Sequence, residues 1–256
     1  MYGVVSKTGV SKVLGVMAIA VTVAGCDRGA GSTSIREQKS SASASELRED
    51  LAESILPDWY QGEQPVLRHQ VDAARGRLWA LTLDGVELYD VKTRTRQAYI
   101  SLADWVWVGE QYSCAPDLAI GPKGEALISS NVLPILWRID PVTFAASKHE
   151  LVLDADARQE IGFTGLAYSA EQGVFFAVSA LQGSLWRIDP LFRRAQSISL
   201  SAPVPKACGL AIRTRAPDER GSRFVGLCVR AQQRDWVVSL APDQRSGYVR
   251  AGKCGG

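Results

Sequence analysis

Cysteines, histidines and paired acids are the side chains of this 256-residue chain that could carry chemistry, and their spacing limits what that chemistry can be. Cys114, Cys208, Cys228 and Cys254 form an even set, apart from Cys26 near the N-terminus. Outside the cytoplasm such a set is expected to close two disulfides, and four cysteines allow three connectivities. If residues 208–214 and 222–230 form a hairpin with Thr214 opposite Ser222, then Cys208 falls opposite Cys228. Directly opposed residues have Cβ atoms about 4.5–5.5 Å apart, slightly beyond bridging distance without local twist. That register favours Cys208–Cys228 and leaves Cys114–Cys254. Zinc is not expected, because no C-x2-C spacing occurs and the only histidines are His69 and His149. Both histidines read as strand or surface residues.

Established catalytic signatures are absent from the sequence: there is no CxxCH, GxSxG, phosphate loop or HExxH. The acid pairs Asp154/Asp156 and Asp218/Glu219 lie in loop-like sequence and read as solvated surface rather than acid–base machinery. No catalytic residue and no cofactor is therefore expected. Two stretches could carry an interaction instead. "ADWVWVGEQY" (103–112) is an aromatic loop in which Trp105, Trp107 and Tyr112 would form a contact patch if exposed. The alternative is that its tryptophans plug or underlie the fold. "RTRAPDERGSR" (213–223) reads as a hairpin tip, with Arg213 and Arg215 as candidate contacts for an anionic partner, or simply as a solvated loop.

The elements that position these residues begin with a leader. Lys7 and Lys12 precede an apolar run, "VLGVMAIAVTV" (13–23), which is too short to span a bilayer and suits a signal peptide. It ends in Val23-Ala24-Gly25-Cys26, which resembles the lipobox of bacterial lipoproteins. That resemblance implies a signal peptide over 1–25 and lipidation of Cys26. It also implies a cell-membrane protein facing the periplasm, held durably by its acyl chains. Asp27 resembles an inner-membrane retention signal, which leaves inner and outer membrane both open. Without Lys7 and Lys12, 27 of the 29 basic residues remain against 27 acidic ones. A neutral mature chain does not suit a nucleic-acid partner. Residues 26–45 are rich in Ser, Ala and Gly and read as a flexible tether. Ser43 and Glu46 have capping-box spacing, Leu47, Leu51 and Ile55 recur every four residues, and Pro57 follows. A short helix over 44–56 is therefore expected.

From there to residue 256, period-2 alternation and turn residues every 8 to 12 positions give an all-β signature. The hexapeptide "LWRIDP" occurs at 136–141 and again at 185–190, and its flanks align. "DLAIGPKGEALISSNVLPILWRIDP" (117–141) matches "GLAYSAEQGVFFAVSALQGSLWRIDP" (165–190). Diverged copies start at "VLRHQVD" (66–72) and "GLAIRT" (209–214). Four units follow, about 60–102, 115–153, 163–200 and 207–252, within a domain spanning 46–256. Each is expected to hold four antiparallel strands, as in a propeller blade. Asp90, Asp140 and Asp189 should end the third strands and cap the turns after them. Trp137 and Trp186 then read as packing between units rather than as ligand platforms.

These units resemble blades of bacterial periplasmic propellers of the YVTN and NHL kind. The resemblance implies a small propeller of about four blades with a narrow, filled axis. A five-bladed ring using residues 59–67, or a half-ring completed by a second copy, is also compatible with the sequence. Propeller enzymes of the gluconolactonase kind need carboxylate and asparagine metal ligands, and Asn131 is the only asparagine here. The expected function is a membrane-anchored, non-catalytic interaction module with a protein partner in the envelope. A small-ligand or sensory propeller and a lactonase-like enzyme are the alternatives.

Overall fold

The computed structural model describes residues 56–109, 114–154, 161–214, 225–232, 234–241 and 243–254. The helix expected over 44–56 lies outside them except for Leu56, as do Cys26, the tether, Tyr112 and Arg215. Every regular element among the described residues is a β-strand. Unit 1 comprises β1 (Val66–Asp72), β2 (Arg77–Thr82), β3 (Gly85–Asp90) and β4 (Thr95–Ser101). Unit 2 comprises β5 (Leu118–Ile120), β6 (Ala126–Ser129), β7 (Ile135–Ile139) and β8 (Ala146–Glu150), followed by a two-residue β9 (Val152–Leu153). Unit 3 holds β10 (Gly165–Ser169), β11 (Val174–Ser179), β12 (Ser184–Ile188) and β13 (Arg194–Leu200). Unit 4 holds β14 (Ala207–Thr214), β15 (Val225–Ala231), β16 (Trp236–Leu240) and β17 (Ser246–Ala251).

Each unit is an antiparallel meander in chain order. The turn chemistry recurs with it. Gly76, Gly124 and Gly173 take positive φ between the first and second strands of units 1 to 3, a region open to glycine. After each of their third strands, an Asp carboxylate accepts N–H groups of its own turn. Asp90 Oδ1 takes Thr93 N at 2.7 Å, Asp140 Oδ1 takes Thr143 N at 2.8 Å, and Asp189 Oδ1 takes Leu191 N at 3.0 Å. These bonds hold the Asp90 and Asp140 carboxyls below the usual carboxylate range. Arg94, Phe144 and Phe192 complete the same turns in left-handed backbone, at φ near 58°, 58° and 55°.

The first strands lie side by side, β1 with β5, β5 with β10 and β10 with β14. Three apolar clusters fill the seams between consecutive units. Trp79, Leu81, Val86 and Leu88 of unit 1 meet Ile128, Trp137 and Ile139 of unit 2. Leu127 and Leu136 of unit 2 meet Phe175, Trp186 and Ile188 of unit 3. Phe176, Val178 and Leu185 of unit 3 meet Leu227, Val229, Val238 and Leu240 of unit 4. In "LWRIDP" the Leu therefore faces the following unit, and the Trp and Ile face the preceding one. Trp137 and Trp186 are each 1% exposed, so the hexapeptide is core on both sides. Outer strands add cross-links that a four-by-four strand count omits: β9 pairs in parallel with the start of β13, and the end of β13 pairs in parallel with β17. Residues 59–65 form no fifth sheet; Trp59 and Tyr60 lie against Tyr89 of unit 1.

Candidate functional site

Charged groups converge where the first strands meet. Asp117, just before β5, is 7% exposed, and its Oδ1 lies 3.5 Å from Arg68 Nε on β1. Its Oδ2 accepts Leu166 N of β10 at 2.7 Å, and its Oδ1 accepts Leu118 N at 2.9 Å. Arg68 also donates from Nη2 to the Cys208 carbonyl on β14 at 2.7 Å. One ion pair thus touches the first strand of every unit. Burial raises the Asp117 carboxyl above its usual range, opposed by Arg68, the two N–H donors and the charge of Arg230. Such a pair costs desolvation and holds only while both partners and their hydrogen bonds are present.

The repeat explains how the pair fits. Arg68 stands where the other units carry Ala119, Ala167 and Ala211, and Asp117 stands where units 3 and 4 carry Gly165 and Gly209. A Cβ on Gly165 would lie 2.7 Å from Val178 and 2.8 Å from the Gly209 backbone, so the packed first strands leave no side-chain room there. Two departures from the repeat, one long and basic, one short and acidic, form the ion pair.

The disulfides lie nearby but not in the expected pairing. Cys114 is bonded to Cys208, with Cα atoms 4.8 Å apart, and Cys228 to Cys254, at 5.7 Å. All four cysteines are bridged, yet Cys208–Cys228 and Cys114–Cys254 are not the bridges. The β14–β15 register is the reason: Thr214 lies opposite Val225 rather than Ser222, which puts Ala211 opposite Cys228. Cys208 sits in an irregularity between Ala207 and Gly209, free to turn toward Cys114. The Cys114 carbonyl accepts Asn131 Nδ2 at 3.1 Å, and Asn131 Oδ1 accepts Val108 N at 3.1 Å. The sole asparagine is thus a structural clamp. Cys228, Asp235 and Cys254 group closely, but the disulfide removes both thiolates as metal ligands.

The candidate interaction residues are dispersed. Trp105 and Trp107 are half-buried, and both indole N–H groups donate to the Leu83 carbonyl, at 2.9 and 3.3 Å. Trp105 stacks edge-on against Trp137 at 5.0 Å. They cap the seam between units 1 and 2, and within this aromatic loop Val106 is the one large apolar residue among those described that is exposed, at 44%. Arg213 is not at a loop tip; it lies within β14, opposite Gly226, and is half-buried. His69 pairs with Ala80 in β1–β2, and His149 stacks near Phe192 at 5.4 Å; burial lowers the pKa of both.

A second polar cluster was not anticipated. Glu87 of β3, 2% exposed, accepts the Tyr60 hydroxyl at 2.7 Å, the Tyr89 hydroxyl at 3.2 Å and Arg96 Nη1 at 3.1 Å. Burial and this carboxylate raise the Tyr60 and Tyr89 phenols. Gly62 lies so close to Glu87 and Tyr60 that a Cβ there would collide with both. The sequence held a signal: aligned on Asp90, Asp140 and Asp189, Glu87 and Tyr89 occupy the Trp and Ile positions of "LWRIDP". A shallow groove of about 510 Å³ lies between the end of β4 and the turn before β8, lined by Tyr99, Ile100, Leu102 and Phe144.

No family model and no curated protein matches the chain. Among solved structures it is similar to hydrazine synthase of Kuenenia stuttgartiensis, at 10% identity and a TM-score of 0.53, over 78% of this chain and 53% of that one. The allergen Mala s 1 of Malassezia sympodialis matches at 9% identity and a TM-score of 0.42, over 73% and 78%. An auxiliary nutrient binding protein of Bacteroides thetaiotaomicron matches at 11% identity and a TM-score of 0.47, over 73% and 41%. The chain spans about half the length of the hydrazine synthase chain. At such identities the likeness is one of fold alone.

Proposed function

We propose that the four meanders close into a small four-bladed β-propeller, held at a membrane by acyl chains on Cys26 and facing the periplasm. In this reading it serves as a non-catalytic interaction module for a protein partner in the cell envelope. The observation that supports the reading is the Arg68–Asp117 pair, which joins all four first strands where the axis of such a ring would lie. The polar groups that could act on a substrate there are already engaged with one another and with backbone. Two disulfides suit an oxidising compartment, in keeping with the leader. A rigid scaffold with its chemistry committed to structure offers its outer surfaces for recognition.

Affinity capture of the chain from gently solubilised membranes tests this. A stoichiometric envelope protein is expected to co-purify. A lone monomer carrying a bound small molecule would overturn the platform in favour of a ligand-binding module. The anchor is tested separately by Cys26→Ser, which should abolish lipid labelling and release the chain from membranes.

A further inference from the structure

Although the mature chain is neutral, its charge is not evenly placed. In each meander the turns after the first and third strands lie at one end of the sheet, and the other connections lie at the opposite end. Consider the described residues of these turns together with two strand residues on either side. Eight exposed cations lie there against two exposed carboxylates, Glu171 and Asp243; Arg75 and Arg96 are ion-paired with the buried Asp72 and Glu87, which leaves Lys92, Arg94, Lys123, Arg193, Arg194 and Arg245. The remaining acids of this end are drawn inward. Asp72 and Glu125 are buried, and Asp90, Asp140 and Asp189 are half-buried and bonded to their own turns. At the opposite end exposed cations and carboxylates are balanced.

Apolar tips accompany the cations. Val142 is 81% exposed and Leu191 65%, at equivalent positions just past the Asp-Pro pairs of units 2 and 3, and Val71 at the end of β1 is 52% exposed. The N-terminal approach comes to the same end: Trp59 packs 6.2 Å from Tyr89, the residue before the Asp90 turn. The described chain begins three residues earlier, at Leu56, and the stretch from Cys26 to Leu56 can be at most about 100 Å long.

From these placements we infer that this turn-bearing end is a docking face for anionic lipid headgroups, meeting the membrane in which the Cys26 anchor sits. Basic residues near an anionic leaflet attract it, each strengthening binding several-fold, and short apolar tips enter the headgroup boundary. The inference rests on the anchor reading only for which surface is met; the contact itself needs no acyl chain. It would hold the module flat on the leaflet, with the Trp105 loop and the disulfides directed away from it.

Flotation with the full chain carrying Cys26→Ser separates docking from anchoring. Vesicles of phosphatidylethanolamine with about one-third phosphatidylglycerol should carry the protein at low salt and release it at high salt, while phosphatidylcholine vesicles should not bind it. Lys92→Glu/Arg94→Glu/Arg193→Glu/Arg194→Glu should weaken binding about ten-fold or more, and Val142→Asp/Leu191→Asp should weaken it too. Lys206→Glu/Arg234→Glu, at the other end, should leave it unchanged. Thermal melts check that each variant is folded. Binding that ignores the four reversals would overturn the inference, as would equal binding to both kinds of vesicle. So would capture by a soluble polyanion such as heparin with none by vesicles. A wild-type chain labelled by lipid whose Cys26→Ser form binds no vesicle would refute the docking face and leave the anchor standing.

Discussion

Trp186 and Glu87 occupy the same repeat position and do opposite work. Trp186, like Trp137, fills an apolar seam against the preceding unit. Glu87 lies on the face of unit 1 turned away from unit 2 and binds two phenols and an arginine. No apolar cluster joins units 4 and 1 among the described residues; Arg68 reaching the Cys208 carbonyl connects their first strands instead. Seams between consecutive units are thus closed by non-directional burial, whereas units 1 and 4 are linked by a directed polar bond. The difference has a simple physical origin. An internal unit has a neighbour on each face as soon as the chain continues, but among the described residues no unit precedes unit 1, and its own lead-in, Trp59 to Gly62, packs on that face.

The comparison can be broken at its strongest point first. Cys114–Cys208 closes a loop of sequence separation 94, against 26 for Cys228–Cys254. Cys114→Ala/Cys208→Ala should lower unfolding free energy by about 4 kcal/mol, and Cys228→Ala/Cys254→Ala by about 3 kcal/mol. Urea unfolding of both variants checks the order, and a reversal would place the weak point at the C-terminus instead.

Trp186→Ala should cost about 4 kcal/mol as a core truncation. Glu87→Gln, which keeps the shape and the tyrosine donors, should cost about 1 kcal/mol. Equal losses would mean that the two seams are alike after all.

Arg68→Ala leaves Asp117 buried without its counter-charge and should cost about 3 kcal/mol. The double variant Arg68→Ala/Asp117→Gly restores the residues of the other units and should recover most of that loss. A double-mutant cycle by denaturant titration measures the coupling; additive losses would show that the pair is not a unit.

The smallest expected effect belongs to the turns. The folded carboxyls of Asp90 and Asp140 titrate below the usual range, so their contribution to stability is present above that range and is lost as pH falls through the folded values. Asp90→Asn/Asp140→Asn should therefore flatten the acid limb of the stability curve slightly, as followed by thermal melts between pH 6 and 3. An unchanged limb would discount those bonds.

Much of the architecture was legible because repetition amplifies weak signals. "LWRIDP" marked the third strands of units 2 and 3, and Asp90, Asp140 and Asp189 marked the turns after them. The cross-links β9–β13 and β13–β17 were not legible, since two-residue parallel pairings carry no periodicity. The disulfide pairing failed on a register shift of three residues, which no alternation pattern in β14 or β15 could fix. The polar clusters were hidden for another reason: Arg68 and Asp117 are 49 residues apart in sequence and in different units. Each shows only as an exception to the repeat, Arg68 among alanines, Asp117 among glycines and Glu87 among tryptophans. Where a repeat is strong, the residues that break it point to the contacts made once.

The Cys114–Cys208 bond has a mechanical consequence. A pull between Pro57 and a point beyond Cys208 would pass through residues 57–113 in series, then cross the bridge directly. Unit 1 would bear that load and could extend by up to about 190 Å of chain, while units 2 and 3 inside the covalent loop carry none. The bridge is thus a stop at Cys114 that shields the two units within its loop.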